Sequence, residues 1–191
     1  RRSSDLSVFV AEELSEVLNT KVVIGRINMG LLNRIIIDDV LLDDQSGQEM
    51  LKVTRLSAKF DIMPFFKGKI SISSVQLFGF NINLRKETPD SPPNFKFVLD
   101  AFASKDTVKK ENSLDLRINS ILIRRGRMSY HVLSEEETPG KFNAKHIQLQ
   151  NIIANISLKA LSKDSLNLGI KRLSLDEKAS GFSLKKKIGR A

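Results

Sequence analysis

The segment "KISISSVQLFGFNINL", residues 69–84, alternates apolar and polar residues but changes phase once. Alternation with a period of two residues is the pattern of a half-buried β-strand. One extra residue between two alternating runs is the pattern of a β-bulge, which bends the strand and returns the apolar side chains to one face. We therefore predict a bulge near Ser73–Ser74. The apolar residues on either side of it are Ile70, Ile72, Val75 and Leu77.

The same spacing, φxφxxφxφ with φ apolar, occurs in five further copies, so the whole chain is constrained by it. A meander of strands that all bend alike curls into a groove with an apolar concave face and a polar outer face. A strand that passes from one layer of a sandwich to the other would show the same pattern, and this alternative stays open. The five copies are Ile35, Ile37, Val40, Leu42; Leu51, Val53, Leu56, Ala58; Leu116, Ile118, Ile121, Ile123; Phe142, Ala144, Ile147, Leu149; and Leu168, Ile170, Leu173, Leu175.

Two segments have helical rather than strand periodicity. Residues 4–19 carry apolar residues at helical spacing, and Asn19 suits the end of that amphipathic helix. A short second helix is predicted near 94–104, directly after a loop that holds three of the prolines. We expect the first helix to pack on its own sheet; a lid, or a segment lying near a membrane surface, is the alternative.

The predicted fold is mainly β. One group of strands covers 21–87 and a second covers 113–187, with the Pro-rich loop and second helix between them at 88–112. The other loops are hairpin-sized, which favours antiparallel neighbours. The sequence therefore predicts a single β-groove domain over 1–191, an antiparallel meander curled into an elongated half-pipe.

Few residues of the chain are candidates for catalysis or metal binding. The chain has no Cys, which excludes disulfides, thiolate metal sites and cysteine nucleophiles. Its only histidines, His131 and His146, fall in different predicted strands, and we expect neither to act as a general base or a ligand. Asp38–Asp39 point to opposite faces of a strand, and Asp43–Asp44 belong to a turn. We therefore predict a non-catalytic protein with no metal and no cofactor.

The formal net charge of +9 favours anionic partners, among which phospholipid headgroups and nucleic acid are the two broad classes. Exposed aromatics interleaved with basic residues would indicate nucleic-acid binding, but the aromatics here are Phe in apolar phase. We therefore expect no nucleic-acid partner. No apolar stretch approaches the roughly 20 residues that span a bilayer. The first residue is not Met, and we expect the chain to be a piece of a longer protein whose anchor or export signal lies outside it.

Two stretches carry a family resemblance by the order of their elements. "EELSEVLNTKVVIGRINMGLLNRIIIDDVLLDD" and "SAKFDIMPFFKGKISISSVQLFGFNINLRK" place an amphipathic helix, "TKVVIGRI", a strand with Asp-Asp-Val, and then "GKISISSVQL" in succession. This order resembles the N-terminal part of the AsmA-like family, and within it the TamB (translocation and assembly module B) group. "INSILIRRGRMSYHV" and "IKRLSLDEKASGFSL" resemble later units of the same pattern.

The resemblance implies a periplasmic protein that is anchored to the inner membrane by a helix outside this chain. Its body would be a β-groove that carries phospholipid between the inner and outer membranes, with the 24 φ residues above facing the lipid. An outer-membrane assembly protein is the further partner that the family implies. The alternative function is a scaffold that assists assembly of outer-membrane β-barrel proteins or autotransporters, by offering a sheet edge for strand addition.

Overall fold

The chain is mainly β, as predicted, with an N-terminal helix and a short second helix. A computed structural model describes residues 2–31, 33–61, 70–103, 114–115, 119–161 and 166–187. Each helix and strand lies within the segment predicted to contain it, apart from the first residues of α1. The elements in chain order are α1 (Arg2–Leu18), β1 (Val22–Gly30), β2 (Arg34–Asp43), β3 (Glu49–Asp61), β4 (Ile70–Lys86), α2 (Lys96–Ala103), β5 (Leu114–Asp115), β6 (Ser120–Val132), β7 (His146–Leu161), β8 (Leu166–Glu177) and β9 (Ser183–Lys187).

The described strands belong to one sheet. Their order is β1-β2-β3-β4-β6-β7-β8-β9, and the two-residue β5 pairs with β4 off this path. Because the strands form a single layer, the sandwich alternative is wrong. β1 and β9 are the two ends of the path and do not pair with each other in the described part of the chain, so the sheet is open. An open, repeatedly bent sheet is consistent with the predicted curled groove.

The sheet is mixed, so the prediction of a wholly antiparallel meander is wrong at one junction. β4 and β6 pair in parallel from Ser74 with Ser120 to Lys86 with Val132, whereas the other neighbours on the path are antiparallel. A parallel pair needs a connection of a dozen residues or more. The segment that holds the prolines and α2 is long enough for this, and it acts as a crossover between two antiparallel groups.

The start of the crossover is fixed by a buried carboxylate in the β2–β3 turn. Asp44, of which 2% is exposed, accepts a hydrogen bond from the Asn94 side chain and forms an ion pair of 2.6 Å with Arg85. Its other oxygen accepts from the backbone N–H groups of Ser46 and Gln48, which is ordinary Asx-turn chemistry. Burial alone would raise the pKa of Asp44, but the hydrogen bonds outweigh burial and hold it below the ordinary value.

The end of α1 is built by its own sequence and by the next strand. Asn19 has a left-handed φ of 48°, and Asn19 N and Thr20 N donate to Glu16 O and Ser15 O, the two bonds of a Schellman motif. The Ser15 hydroxyl also accepts from Val22 N at 3.0 Å. The helix therefore ends where predicted and is tied directly to β1.

Both helices cover the same part of the sheet. Residues of α1 and α2, among them Ala11, Leu14, Leu18 and Val98, pack against the apolar side chains of the first strands. No helix in the described residues has the length and hydropathy needed to cross a membrane. The sheet residues buried in this cluster are Val22, Ile24, Ile27, Leu42 and Met50.

Candidate functional site

The bulge predicted from the phase change in β4 is present. Lys59 pairs with Ser74 and the next residue, Phe60, pairs with Ile72, so Ser73 is the extra residue in β4. The Ser73 carbonyl is turned to a different neighbour and accepts from Asn119 N at 3.0 Å. One inserted residue therefore both bends β4 and contacts the residue that precedes β6.

Most of the other phase changes lie side by side on neighbouring strands, unlike the bulge at Ser73. In β2 the phase change falls between Ile37 and Val40. Ile37 pairs with Leu56 of β3 and Val40 pairs with Val53, and the phase change of β3 falls between these two partners. Leu56 and Val53 pair in turn with Leu77 and Phe80 of β4. From β2 to β6 each strand carries its extra residue at the same level, so the register is kept there while the strands bend together.

Left-handed backbone conformations mark this level, which we name the bend line. Its members are Asp39 in β2, Gly79 in β4, Arg125 in β6 and Asn151 in β7, with φ between 53° and 65°. Only glycine adopts this conformation without cost, and Asn and Asp tolerate it better than most residues. A side chain at Gly79 would also collide with the Thr54 hydroxyl, which donates to the Gly79 carbonyl.

The bend line gathers apolar side chains on one side of the sheet, which we name the apolar face. Val53, Phe80 and Ile152 are its buried centre, with 2%, 6% and 8% exposed. A Cβ at Gly126 would overlap the Phe80 ring, so the missing side chain makes room for that ring beside Ile152. Among the described residues, their packing partners all belong to strands of the sheet itself and are only partly buried.

The structure brings most of the predicted groove residues together on the apolar face. Residues of all six copies of the repeat contribute to it directly. Val75 pairs with Ala58 and with Ile121, and Leu173 pairs with Ala154, so the register places the half-buried remainder on the same face. The predicted residues that pack in the two apolar clusters are Ile35, Ile37, Val40, Leu42, Leu51, Val53, Leu56, Leu77, Ile123, Leu149 and Leu175.

Two of the predicted residues do not belong there. Phe142 is 62% exposed and Ala144 is also exposed, because β7 begins only at His146. The Asn143 side chain accepts from Lys145 N and makes a turn of residues 143–145, between Phe142 and β7. Ile170 in β8 is 39% exposed, but it pairs with Ile156, which pairs with Ile121, so the register places it on the apolar face.

The remaining predicted residues divide into one half-buried position and five that are not described. Ile147 is half-buried and pairs with Tyr130. Leu116 and Ile118 lie outside the described residues. The side chains of Ile70, Ile72 and Leu168 lie outside the described part as well, although the backbone of each is in a strand.

Four residues of the apolar face were missed by the sequence pattern: Phe80, Ile82, Met128 and Ile152. The signal for two of them was present, since Val75, Leu77, Phe80 and Ile82 form a second copy that overlaps the first in β4. In β7 the matching copy runs from Ile147 to Ala154, which is five residues later than predicted.

The opposite side of the sheet, the polar face, carries charge at the same level. Arg26, Asp38, Arg55, Phe78 and Arg124 follow one another in register from β1 to β6. Arg55 Nε donates to Asp38 Oδ1 at 2.6 Å, and this hydrogen bond raises the pKa of the Arg55 guanidinium. The two faces are therefore chemically distinct: one is aliphatic and aromatic, and the other presents cations to solvent.

Comparison with known proteins leaves the family a prediction. No protein-family model matches the chain, and a search of the curated proteins finds no match. What the molecule itself offers for function is an apolar face that continues across the strands of an open sheet, with its helices gathered over one part of it.

Proposed function

We propose that this chain is a non-catalytic segment of a lipid-conducting groove, in which acyl chains lie along the apolar face. The observation that carries the proposal is the continuity of that face from β2 to β8 across the bend line. Soluble proteins rarely expose large contiguous apolar surfaces without a partner. A phospholipid is a partner whose apolar part is linear and has no fixed sequence, so it suits a face built from a repeated strand pattern.

The energy available to such a ligand is substantial. Burial of one methylene is worth about 0.8 kcal/mol, so ten buried methylenes contribute about 8 kcal/mol before the cost of ordering the chain is subtracted. The partly buried side chains around Val53, Phe80 and Ile152 would complete their burial against the ligand. The charged headgroup would remain in water at the mouth of the groove.

The resemblance to the AsmA-like family supports the same proposal and supplies its setting. The chain would lie in the periplasm, anchored to the inner membrane by a segment outside it, and it would pass phospholipid toward the outer membrane. The group within the family that the sequence resembles most, TamB, adds an outer-membrane assembly protein as a further partner.

Strand addition at an open sheet edge is the second candidate, since the path of described strands ends in β1 and β9, each with one side unpaired in the described part of the chain. The two edges differ. β9 has five residues, three of them Lys, and short Lys-rich edges oppose pairing with another chain. β1 has nine residues, Val22–Gly30, and is the edge at which an unfolded β-barrel protein would pair. Crosslinks from β1 to such a polypeptide, without lipid adducts on the apolar face, would favour this function.

A pair of leucines in neighbouring strands tests the lipid proposal. Leu77 lies on the apolar face, whereas Leu122 pairs with Gln76 and lies on the polar face; both are half-buried. A photo-crosslinking amino acid at Leu77, irradiated with phosphatidylethanolamine vesicles, should yield phospholipid adducts by mass spectrometry, several-fold more than at Leu122. Equal yields at the two positions, or none at Leu77 together with no lipid retained in native mass spectra, would contradict the proposal.

A further inference from the structure

The only two histidines of the chain meet at one end of the sheet, although 14 residues lie between them in sequence. His131 is near the end of β6, His146 begins β7, and the two form a register pair. Their Nδ1 atoms are 3.0 Å apart. The β6–β7 connection folds back on this pair, so the sequence separation conceals a close cluster.

The surroundings of His146 fix which of its nitrogens carries the proton. Its ring is 8% exposed, and Nε2 lies 2.8 Å from the backbone oxygen of Glu135. A carbonyl oxygen only accepts, so Nε2–H is the donor. The neutral ring then has its lone pair on Nδ1, directed at His131. A ring nitrogen held by a backbone carbonyl while the other nitrogen is free to ligate is the usual arrangement of a metal-binding histidine.

A third donor comes from the connection itself. Glu137 Oε1 lies 3.8 Å from His131 Nδ1 and 4.0 Å from His146 Nδ1. Its side chain is 66% exposed, so it is free to move closer. The other carboxylate nearby, that of Glu135, is paired with Lys145 at 2.6 Å. Two imidazoles and one carboxylate therefore converge within 4.8 Å of one another.

We propose that His131, Glu137 and His146 bind one divalent transition-metal ion of the class that imidazole favours, with Zn²⁺ as the reference ion. Zinc lies about 2.0–2.1 Å from each histidine nitrogen, which places two such nitrogens about 3.3 Å apart in tetrahedral geometry. The observed 3.0 Å needs to widen by only a few tenths of an ångström. Three protein ligands leave the fourth position of the ion for water or an outside ligand.

The alternative explanation of the short distance is a proton. If His131 Nδ1 carries a hydrogen, it donates to His146 Nδ1, and no ion is needed for the 3.0 Å contact. The two explanations differ in the role of Glu137, which has no part in the proton-mediated bond but is a ligand in the metal site. They also differ in the effect of added metal, because an ion joins β6, β7 and their connection and so stabilises the folded chain.

The test is a Zn²⁺ titration of the chain without a polyhistidine tag, followed by calorimetry and by thermal unfolding. We expect one ion per chain and a rise in Tm with Zn²⁺. Glu137→Gln and His131→Gln should each weaken the Kd about tenfold or more, whereas the neighbouring Glu136→Gln, also exposed, should leave it within about twofold. Both test variants alter side chains that are less buried than His146, and circular dichroism checks that they fold.

The proposal is overturned if Zn²⁺ shows no saturable binding below about 100 µM, or if Glu137→Gln binds as tightly as Glu136→Gln. It does not depend on lipid binding, since the cluster lies where β6 and β7 meet their connection and not on the apolar face. A chain that binds Zn²⁺ but yields no lipid adducts would uphold this site and contradict the lipid groove.

Discussion

The two regions of the apolar face share one strand pattern and differ in what lies over them. In the helix-covered region, α1 and α2 pack on Val22, Ile24 and Leu42, and the sheet is covered by a second layer. In the open region, around Phe80 and Ile152, the packing partners in the described part of the chain are strand residues of the same sheet. The pattern φxφxxφxφ therefore determines which side chains share a face, but not whether that face is covered.

The difference shows that a sheet can bury side chains in two ways. A second layer buries the residues beneath it, as α1 does for β1. At the bend line, neighbouring strands kink together and close on one another, and a glycine makes room for an aromatic ring at the centre. This second way buries a few residues and leaves their neighbours half-exposed, so the open region has a buried centre and partly exposed flanks.

The largest expected effect comes from removing the centre of the open region. Phe80→Ala should lower the free energy of unfolding by about 3–5 kcal/mol, because it deletes a buried aromatic ring and leaves a cavity beside Gly126 and Ile152. Phe78→Ala is the matched control: Phe78 is 38% exposed on the polar face, and its loss should cost less than about 1 kcal/mol. Urea unfolding followed by circular dichroism measures both. Equal losses would mean that the bend line has no core of its own.

A buried carboxylate at the far end of the open region should make its stability depend on pH. Glu177 is 2% exposed and accepts from the N–H groups of Gln148, Ala179 and Ser180. Burial alone would raise its pKa, but these hydrogen bonds and one from the Ser180 hydroxyl outweigh burial and hold the pKa below the ordinary 4.5. A depressed folded-state pKa gives stability that is present above pH 4.5 and is lost as pH falls through the folded value.

Glu177→Gln should therefore cost about 1–3 kcal/mol at pH 7, because an amide cannot accept all of these bonds. Between pH 6 and pH 3 the variant should lose less stability than the unmodified chain. Urea unfolding at several pH values measures this, with the exposed Glu136→Gln as the control. If Glu177→Gln keeps the full acid dependence, the pH effect arises elsewhere.

The smallest effect is expected where α1 meets the sheet. Ser15→Ala removes the hydroxyl that accepts from Val22 N, and the loss should be about 1 kcal/mol, partly offset by the better helix propensity of Ala. Hydrogen exchange should become faster in α1 and β1 and stay unchanged at Phe80 and Ile152. Glu13→Ala, an exposed change in the same helix, is the control. Faster exchange in both regions would show that they unfold as one unit.

The sequence predicts which side chains share a face of the sheet, but it does not predict every pair of neighbouring strands. Local patterns predict the bulge at Ser73, the end of α1 at Asn19 and the two groups of strands, because the phase of alternation and turn chemistry depend on residues close together in the chain. The parallel pairing of β4 with β6 does not, since the alternation within a strand is the same whichever strand lies beside it.

The same limit of local patterns explains why the sequence misplaced Phe142 and did not predict the contact between His131 and His146. Phe142 satisfies the apolar pattern, but Asn143 makes a turn directly after it, and turn chemistry overrides alternation. The convergence of His131 and His146 depends on the register of β6 with β7, which is shifted twice by irregularities around Gly126. No spacing rule indicates a contact that depends on such shifts.

The parallel junction also has a consequence for how the chain folds. Along an antiparallel hairpin the turn brings the first pair together and each later pair closes beside it, but every pair between β4 and β6 joins residues 46 apart. Each of these contacts carries the full entropy of closing a long loop, and contacts of this kind slow folding. We expect β1–β4 and β6–β9 to form first as two separate half-sheets, with their joining along β4 and β6 as the rate-limiting step.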